Sequence, residues 1–187
     1  YQFYFKTIAI KSIYQSSIEF TITEKEKHKA ITYIENEIKN KSYVVISPKA
    51  SYSLKEWPQE NYIQLVNKLT EQYNLSILLC GGKNEKTYLE SIVKRANSNV
   101  KAISDFSLLS IIEILKRTSL FIGNDSGLLH IATTLGVPSI GILFGGHFSR
   151  YFPYGSMVSV ANILPCFECN NKCIYSQPLC LTEISPE

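Results

Sequence analysis

The segment SLFIGNDSGLLHIATTLGVPSIGILF, residues 119–144, decides the fold. Ser119–Ile122 is short and apolar, as a buried strand should be, and Gly123-Asn124 turns the chain. Ser126–Leu135 reads as a helix, closed by Gly136 and then Pro138. Ser139–Phe144 is a second apolar strand, ending in Gly145-Gly146. Strand, helix and strand in close succession make a parallel pair joined by a crossover helix. Moving outward, the pattern repeats. Tyr43–Ser47 and Leu75–Cys80 read as buried strands, with a helix around Glu60–Tyr73 between them that places Ile63, Val66 and Leu69 on one face. A helix over about Glu85–Asn97, a strand Val100–Ile103 and a helix capped by Ser107 and running to about Arg117 follow. Val158–Ala161 is a candidate last strand. Continuous apolar strands alternating with helices predict an α/β fold, a Rossmann-like parallel sheet covered by helices on both faces.

Upstream, residues 24–40 are charge-rich with Ile31, Ile34 and Ile38 at helical spacing. Thr23 can cap that helix, with Glu26 as its capping-box partner. Residues 1–23 hold two apolar stretches, Tyr1–Ile10 and Ile13–Ile22, with partial strand-like alternation. The chain opens at Tyr1 and its one methionine is Met157, so the expectation is that a segment lies upstream. The organisation predicted is therefore a remnant or link over 1–23, a Rossmann-like domain over 24–161, and a cysteine-rich tail over 162–187.

Composition narrows the function. The 187 residues are 45% hydrophobic and 19% charged, which excludes a disordered polyelectrolyte. A net charge of +3 is too small to imply a nucleic-acid partner. The longest apolar runs, such as Val137–Phe144, are about eight residues, far short of a membrane span. No signal-peptide pattern is visible, and a cytoplasmic location is expected.

In open parallel sheets, ligands bind beyond the carboxyl ends of the strands. Four such ends carry special residues. Gly123–His130 (GNDSGLLH) joins a strand directly to a helix. With Asp125 as N-cap, the amides of Ser126, Gly127 and Leu128 point outward and form an anion site. Gly127 lets a phosphate approach the backbone. His130 shares the face of Ser126 and Gly127 and can donate to the same anion. The competing reading is a plain cap and a satisfied helix histidine. Ser47–Pro58 (SPKASYSLKEWP) supplies Lys49, Lys55, Ser51 and Ser53, which could hold phosphate oxygens or simply line a solvated loop. Gly81–Glu85 supplies Glu85, either an acceptor for ribose hydroxyls or an acidic residue favoured at a helix start. Gly145–Arg150 is the fourth. Neither the dinucleotide glycine fingerprint nor a Walker A sequence is present.

Taken together, Ser47-Pro-Lys-Ala-Ser51, Lys55-Glu-Trp57-Pro58, Gly81-Gly82-x-x-Glu85, Gly123-Asn-Asp-Ser-Gly-x-x-His130-x-Ala132 and Gly136-Val-Pro138 resemble glycosyltransferase family 9, the family of ADP-heptose:lipopolysaccharide heptosyltransferases. The resemblance runs from about residue 43 to the end. It implies one half of a GT-B glycosyltransferase, the C-terminal half that binds the nucleotide sugar. The catalytic base would lie in the other half and is assigned to no residue here. The resemblance implies that the amides of Ser126 and Gly127 bind the diphosphate, with His130 beside it, Asp125 holding the loop, Lys55 on the phosphates or nucleoside and Glu85 on the ribose. It implies transfer of a sugar with inversion. The expected donor is ADP-heptose and the expected acceptor a lipopolysaccharide core or related glycan, at the inner membrane face. No divalent metal is expected in catalysis. The chain departs from the family at Phe144-Gly-Gly-His-Phe-Ser-Arg150, where His147 and Arg150 are candidate contacts to phosphate or sugar, or members of a packed aromatic loop. Two rival readings keep most of these features: a non-catalytic binding or oligomerisation module, and another GT-B-like sugar-nucleotide enzyme such as an epimerase.

The tail holds Cys166-x2-Cys169-x3-Cys173-x6-Cys180. Four thiols so close can surround a tetrahedral ion, zinc or iron. Reduced, unligated thiols and disulfides are the other readings. Cys80 ends a buried strand and reads as a core residue.

Overall fold

Strands buried on both faces need apolar side chains on both, and Tyr43–Ser47 and Ser76–Cys80 provide them without interruption. The computed structural model of the chain describes residues 19–38, 42–96, 99–147 and 157–187. In it the elements run α1 (Glu24–Glu37), β1 (Tyr43–Ser47), α2 (Gln59–Tyr73), β2 (Ser76–Cys80), α3 (Lys86–Arg95), β3 (Val100–Ile103), α4 (Leu108–Leu115), β4 (Leu120–Asn124), α5 (Gly127–Thr134), β5 (Ser139–Ile142), β6 (Met157–Val160) and α6 (Leu179–Thr182). The strands form one sheet in the order β3-β2-β1-β4-β5-β6. Every pairing is parallel, with Val45 opposite Phe121 and Ser47 opposite Gly123 across the β1–β4 seam. The order reverses at that seam, where the crevice of a doubly wound sheet opens.

Strand alternation sorts the core into two layers. Val44, Ile46, Ile77 and Leu79 face α2 and α3, meeting Tyr62, Val66, Leu89 and Ile92. Tyr43, Val45, Leu78 and Cys80 face α1, α4 and α5, meeting Ala30, Ile114, Leu129 and Ala132. Each of the larger side chains contributes roughly 1.5–3 kcal/mol by leaving water. α2 and α3 cover one half of their face. The other half, toward β5, is covered by the tail: Cys180, Leu181 and Ile184 are buried in the same cluster as Ile142 and Phe144. The tail thus completes the cover of this face.

The helix starts follow the expected chemistry. Thr23 Oγ1 accepts from the Glu26 amide at 3.3 Å, and Ser107 Oγ from the Ser110 amide at 3.1 Å. Three readings are corrected. β4 runs on through Gly123 and Asn124, because the Asn124 side chain is buried and bonded there instead of turning outward. α5 begins at Gly127 with Ser126 as its N-cap, so Asp125 is not the cap. The tail adds a short helix, α6, that has too few residues to show periodicity. The strand-like stretches of the first 18 residues lie outside the described residues, and residues 19–23 are neither helix nor strand. Among the described residues no helix is long and apolar enough to cross a membrane.

If the tail is core, removing one of its side chains must act like any core deletion. Leu181, with no exposure, is the cleanest choice. Leu181→Ala should lower unfolding free energy by about 2–5 kcal/mol in urea titrations. A change below about 0.5 kcal/mol would mean that the tail is a surface appendage.

Candidate functional site

The crevice at the β1–β4 seam is organised by Asn124, the last residue of β4, which is fully buried. Its Oδ1 accepts from the Trp57 amide at 3.1 Å and from the Tyr62 hydroxyl at 2.9 Å. Its Nδ2 donates to the Pro48 carbonyl at 2.8 Å. One amide therefore joins the end of β1, the start of α2 and the end of β4. Sequence reasoning missed it. The available signal was a lone amide at the end of an apolar strand, which must find partners wherever it is buried.

The loop so anchored places Lys55 at the end of a single 3-10 turn, Ser53–Lys55. Lys55 Nζ meets Asp125 Oδ2 at 2.5 Å, and the two side chains are only 12% and 13% exposed. On the other side His130 Nε2 lies 3.5 Å from Asp125 Oδ1. Burial works to raise the Asp125 pKa, but the His130 and Lys55 hydrogen bonds outweigh it and hold the carboxyl below the usual carboxylate range. Lys55, far away in sequence, thus joins Asp125 and His130 in one row beside the mouth of α5.

That mouth is open. The first bond of the helix is Leu129 N–H to the Ser126 carbonyl at 3.1 Å, so the Gly127 and Leu128 amides precede the ladder. A Cβ added at Gly127 would meet nothing within 4 Å. Among the described residues, then, no side chain stands between that space and the backbone. Ser126 Oγ is buried with no hydrogen-bond partner among the described residues. Amides, helix dipole and a nearby ammonium and imidazole converge on a region that suits a diphosphate.

The remaining predicted residues fall elsewhere along the same edge. Glu85 lies after β2, where its Oε2 accepts from the Gly82 amide at 2.8 Å and caps the turn Lys83–Glu85 that leads into α3. Its helix-start role is visible. Lys49 pairs with Glu56 at 2.5 Å and lies 4.8 Å from the Tyr88 ring centroid. Gly145–His147 forms a 3-10 turn after β5, and Arg150 lies outside the described residues. The four tail cysteines, Cys166, Cys169, Cys173 and Cys180, carry free thiols and line one small cavity with Phe144 and Phe167. As placed, no three His, Cys, Asp or Glu side chains among the described residues close on an ion position.

Comparison with known proteins agrees with this geometry. A family model described as glycosyltransferase family 9 (heptosyltransferase) matches residues 8–176. The chain is 28% identical over 148 residues to the lipopolysaccharide core heptosyltransferase OpsX of Haemophilus influenzae, covering 78% of this chain and 42% of that protein. Among solved structures, a glycosyl transferase family 9 protein of Veillonella parvula superposes with a TM-score of 0.77 at 17% identity, covering 91% of this chain and 51% of the other. The ADP-heptose lipopolysaccharide heptosyltransferase II of E. coli superposes with a TM-score of 0.72 at 18% identity, covering 90% of this chain and 50% of the other. The chain spans about half the length of the curated relatives it matches.

The lowered Asp125 pKa has a sign that can be checked. A depressed carboxylate adds stability above its unfolded pKa of about 3.9 and loses it as pH falls through the folded value. Asp125→Asn should be less stable than the parent by about 1–3 kcal/mol at pH 7. That gap should shrink as the pH falls below about 4. A gap that stays constant from neutral to acid pH in urea unfolding would place the stabilisation elsewhere.

Proposed function

Since the chain belongs to glycosyltransferase family 9, we propose that it is the donor-binding part of an enzyme that transfers a sugar from a nucleoside-diphosphate sugar to a glycan acceptor. The observation that carries this reading is the open N-terminus of α5 at the β1–β4 seam, flanked by the Asp125-bonded Lys55 and His130. The proposed donor is ADP-heptose and the proposed acceptor a lipopolysaccharide core or related glycan. The relatives named above as lipopolysaccharide heptosyltransferases, from Haemophilus influenzae and E. coli, support both choices.

In this reading the acceptor hydroxyl attacks the anomeric carbon, the bond from that carbon to the diphosphate oxygen breaks, and configuration inverts. The hydroxyl proton passes to a base outside the matched half. This chain's part is to stabilise the leaving diphosphate, on which negative charge grows. Gly127 and Leu128 amides, the α5 dipole and the Lys55 ammonium are fixed in place before the charge appears, so little reorganisation opposes the step. Asp125 keeps Lys55 directed at the mouth, and its low pKa keeps it ionised for that task at neutral pH. His130, about 40% exposed, lines the side of the mouth open to the incoming ligand. The amides, the α5 dipole and the Lys55 ammonium supply the electrostatics, and no catalytic metal enters the proposal. Glu85 is proposed to meet the ribose with the oxygen not used in capping.

Titration calorimetry with ADP, UDP and GDP tests the reading. Binding of at least one is expected, with ADP the tightest. Lys55→Ala should weaken it about 10- to 100-fold and His130→Ala about 10-fold, from the loss of charge-assisted hydrogen bonds. Lack of binding to all three nucleotides by a folded protein would remove the assignment.

A further inference from the structure

Asn124 fixes the two ends of the loop between β1 and α2, Pro48 through its carbonyl and Trp57 through its amide. Residues 49–56 must still find a path between those ends, and Lys55 lies near the far end of it. A second set of contacts closes the loop just inside the first. Lys49 Nζ donates to Glu56 Oε2 at 2.5 Å, and the Ala50 amide to Glu56 Oε1 at 3.4 Å. Both carboxylate oxygens are thus occupied across the neck of the loop. The pair is well shielded, with side chains 25% and 16% exposed. Lys49 Nζ also lies 4.8 Å from the centroid of the Tyr88 ring, within cation–π range. An ammonium held from two sides is already committed.

Glu56 carries a further constraint. Its amide donates to the Ser53 carbonyl at 3.1 Å and closes the 3-10 turn Ser53–Lys55. Its backbone leaves that turn extended, with φ −94° and ψ 120°. Lys55 and Glu56 are neighbours in sequence, yet their side chains part, Lys55 to Asp125 and Glu56 back to Lys49. Where Glu56 is fixed, the direction of Lys55 is fixed with it. A carboxylate next to Lys55 would by itself repel an incoming diphosphate, and pairing with Lys49 neutralises it.

We propose that Lys49 and Glu56 are positioning residues: their ion pair staples the neck of the β1–α2 loop and directs Lys55 at the α5 mouth. The inference rests on the donor-site reading and divides the work of the two lysines, since Lys55 meets the ligand and Lys49 holds the loop. Tyr88 lies in the first turn of α3, just after Glu85. Lys49 therefore also ties the loop to the helix that Glu85 precedes, and the phosphate and ribose ends of the donor site keep a fixed separation.

Calorimetry with ADP and a carboxyl NMR titration of Asp125 test the proposal. Lys49→Met combined with Glu56→Gln removes the pair without stranding a charge. It should weaken ADP binding about 10-fold, from the loss of a well-aimed charge-assisted contact. In a Lys55→Ala background the same double change should cost less than about 2-fold, because its effect is carried by Lys55. Lys49→Arg, which can keep both the ion pair and the ring contact, should bind within about 3-fold of the parent. The titration needs no nucleotide. Burial raises the Asp125 pKa, and the His130 and Lys55 hydrogen bonds lower it. The double change should therefore move it upward, toward its value in Lys55→Ala. If the parent binds no nucleotide, the donor reading fails, while the Asp125 titration still decides this one. Equal or tighter ADP binding by the double variant would overturn the proposal, as would the same loss with and without Lys55. So would an Asp125 pKa that the double change leaves in place. Should the double variant fail to fold, Glu56→Asp, whose shorter stem withdraws the carboxylate from Lys49, supplies the same comparisons.

Discussion

One buried amide holds the crevice together. Asn124 sits at the end of a central strand with no access to water, where an unpaired carboxamide would cost about 1–3 kcal/mol for each lost bond. Its partners are the Pro48 carbonyl, the Trp57 amide and the Tyr62 hydroxyl. They lie just after β1, just before α2 and in the first turn of α2, beside the seam. Because those bonds must all form at once, the loop between β1 and α2 has little freedom. Lys55 is therefore delivered to Asp125, one residue after Asn124, with almost no search. The electrostatics of the α5 mouth thus depend on a neutral side chain that never touches the ligand space.

The same arrangement explains why the site is dense in charge yet ordered. Asp125 alone beside a helix N-terminus would compete with an incoming anion for the amides. Bonded to Lys55 on one oxygen and facing His130 with the other, it is directed away from that task. Its negative charge holds the Lys55 ammonium and the His130 imidazole in place, and the helix mouth is left to accept an anion.

Much of this was legible in the sequence. Tyr43–Ser47 and Val100–Ile103 have the bounds expected, since a short apolar run between polar residues has few places to begin and end. Ser107 and Thr23 cap as predicted because a hydroxyl before a helix has one local use. Asp125 was misjudged for a tertiary reason: cap chemistry suits Asp and Ser equally, and the choice between them was made by Lys55, 70 residues away. Asn124 was missed because its partners are non-local. The tail read as a separate unit because its polar residues dominate the composition. The few apolar ones, Cys180, Leu181 and Ile184, are what carry it into the core. The gathering of Lys55, Asp125 and His130 into one row was suggested by motif order, but their contacts required the sheet.

Trp57 lies where these parts meet. Its amide is bound to Asn124, its ring packs edge-on against Tyr62, and its indole N–H donates to the Ile184 carbonyl at 3.0 Å. It is the only tryptophan in the chain and is 2% exposed. The protein therefore carries a built-in optical probe. Release of the tail would wet the indole and shift its emission to the red, while movement at the seam would disturb the same ring from its other side. A single fluorophore reports on tail docking and on the organisation of the crevice without any label.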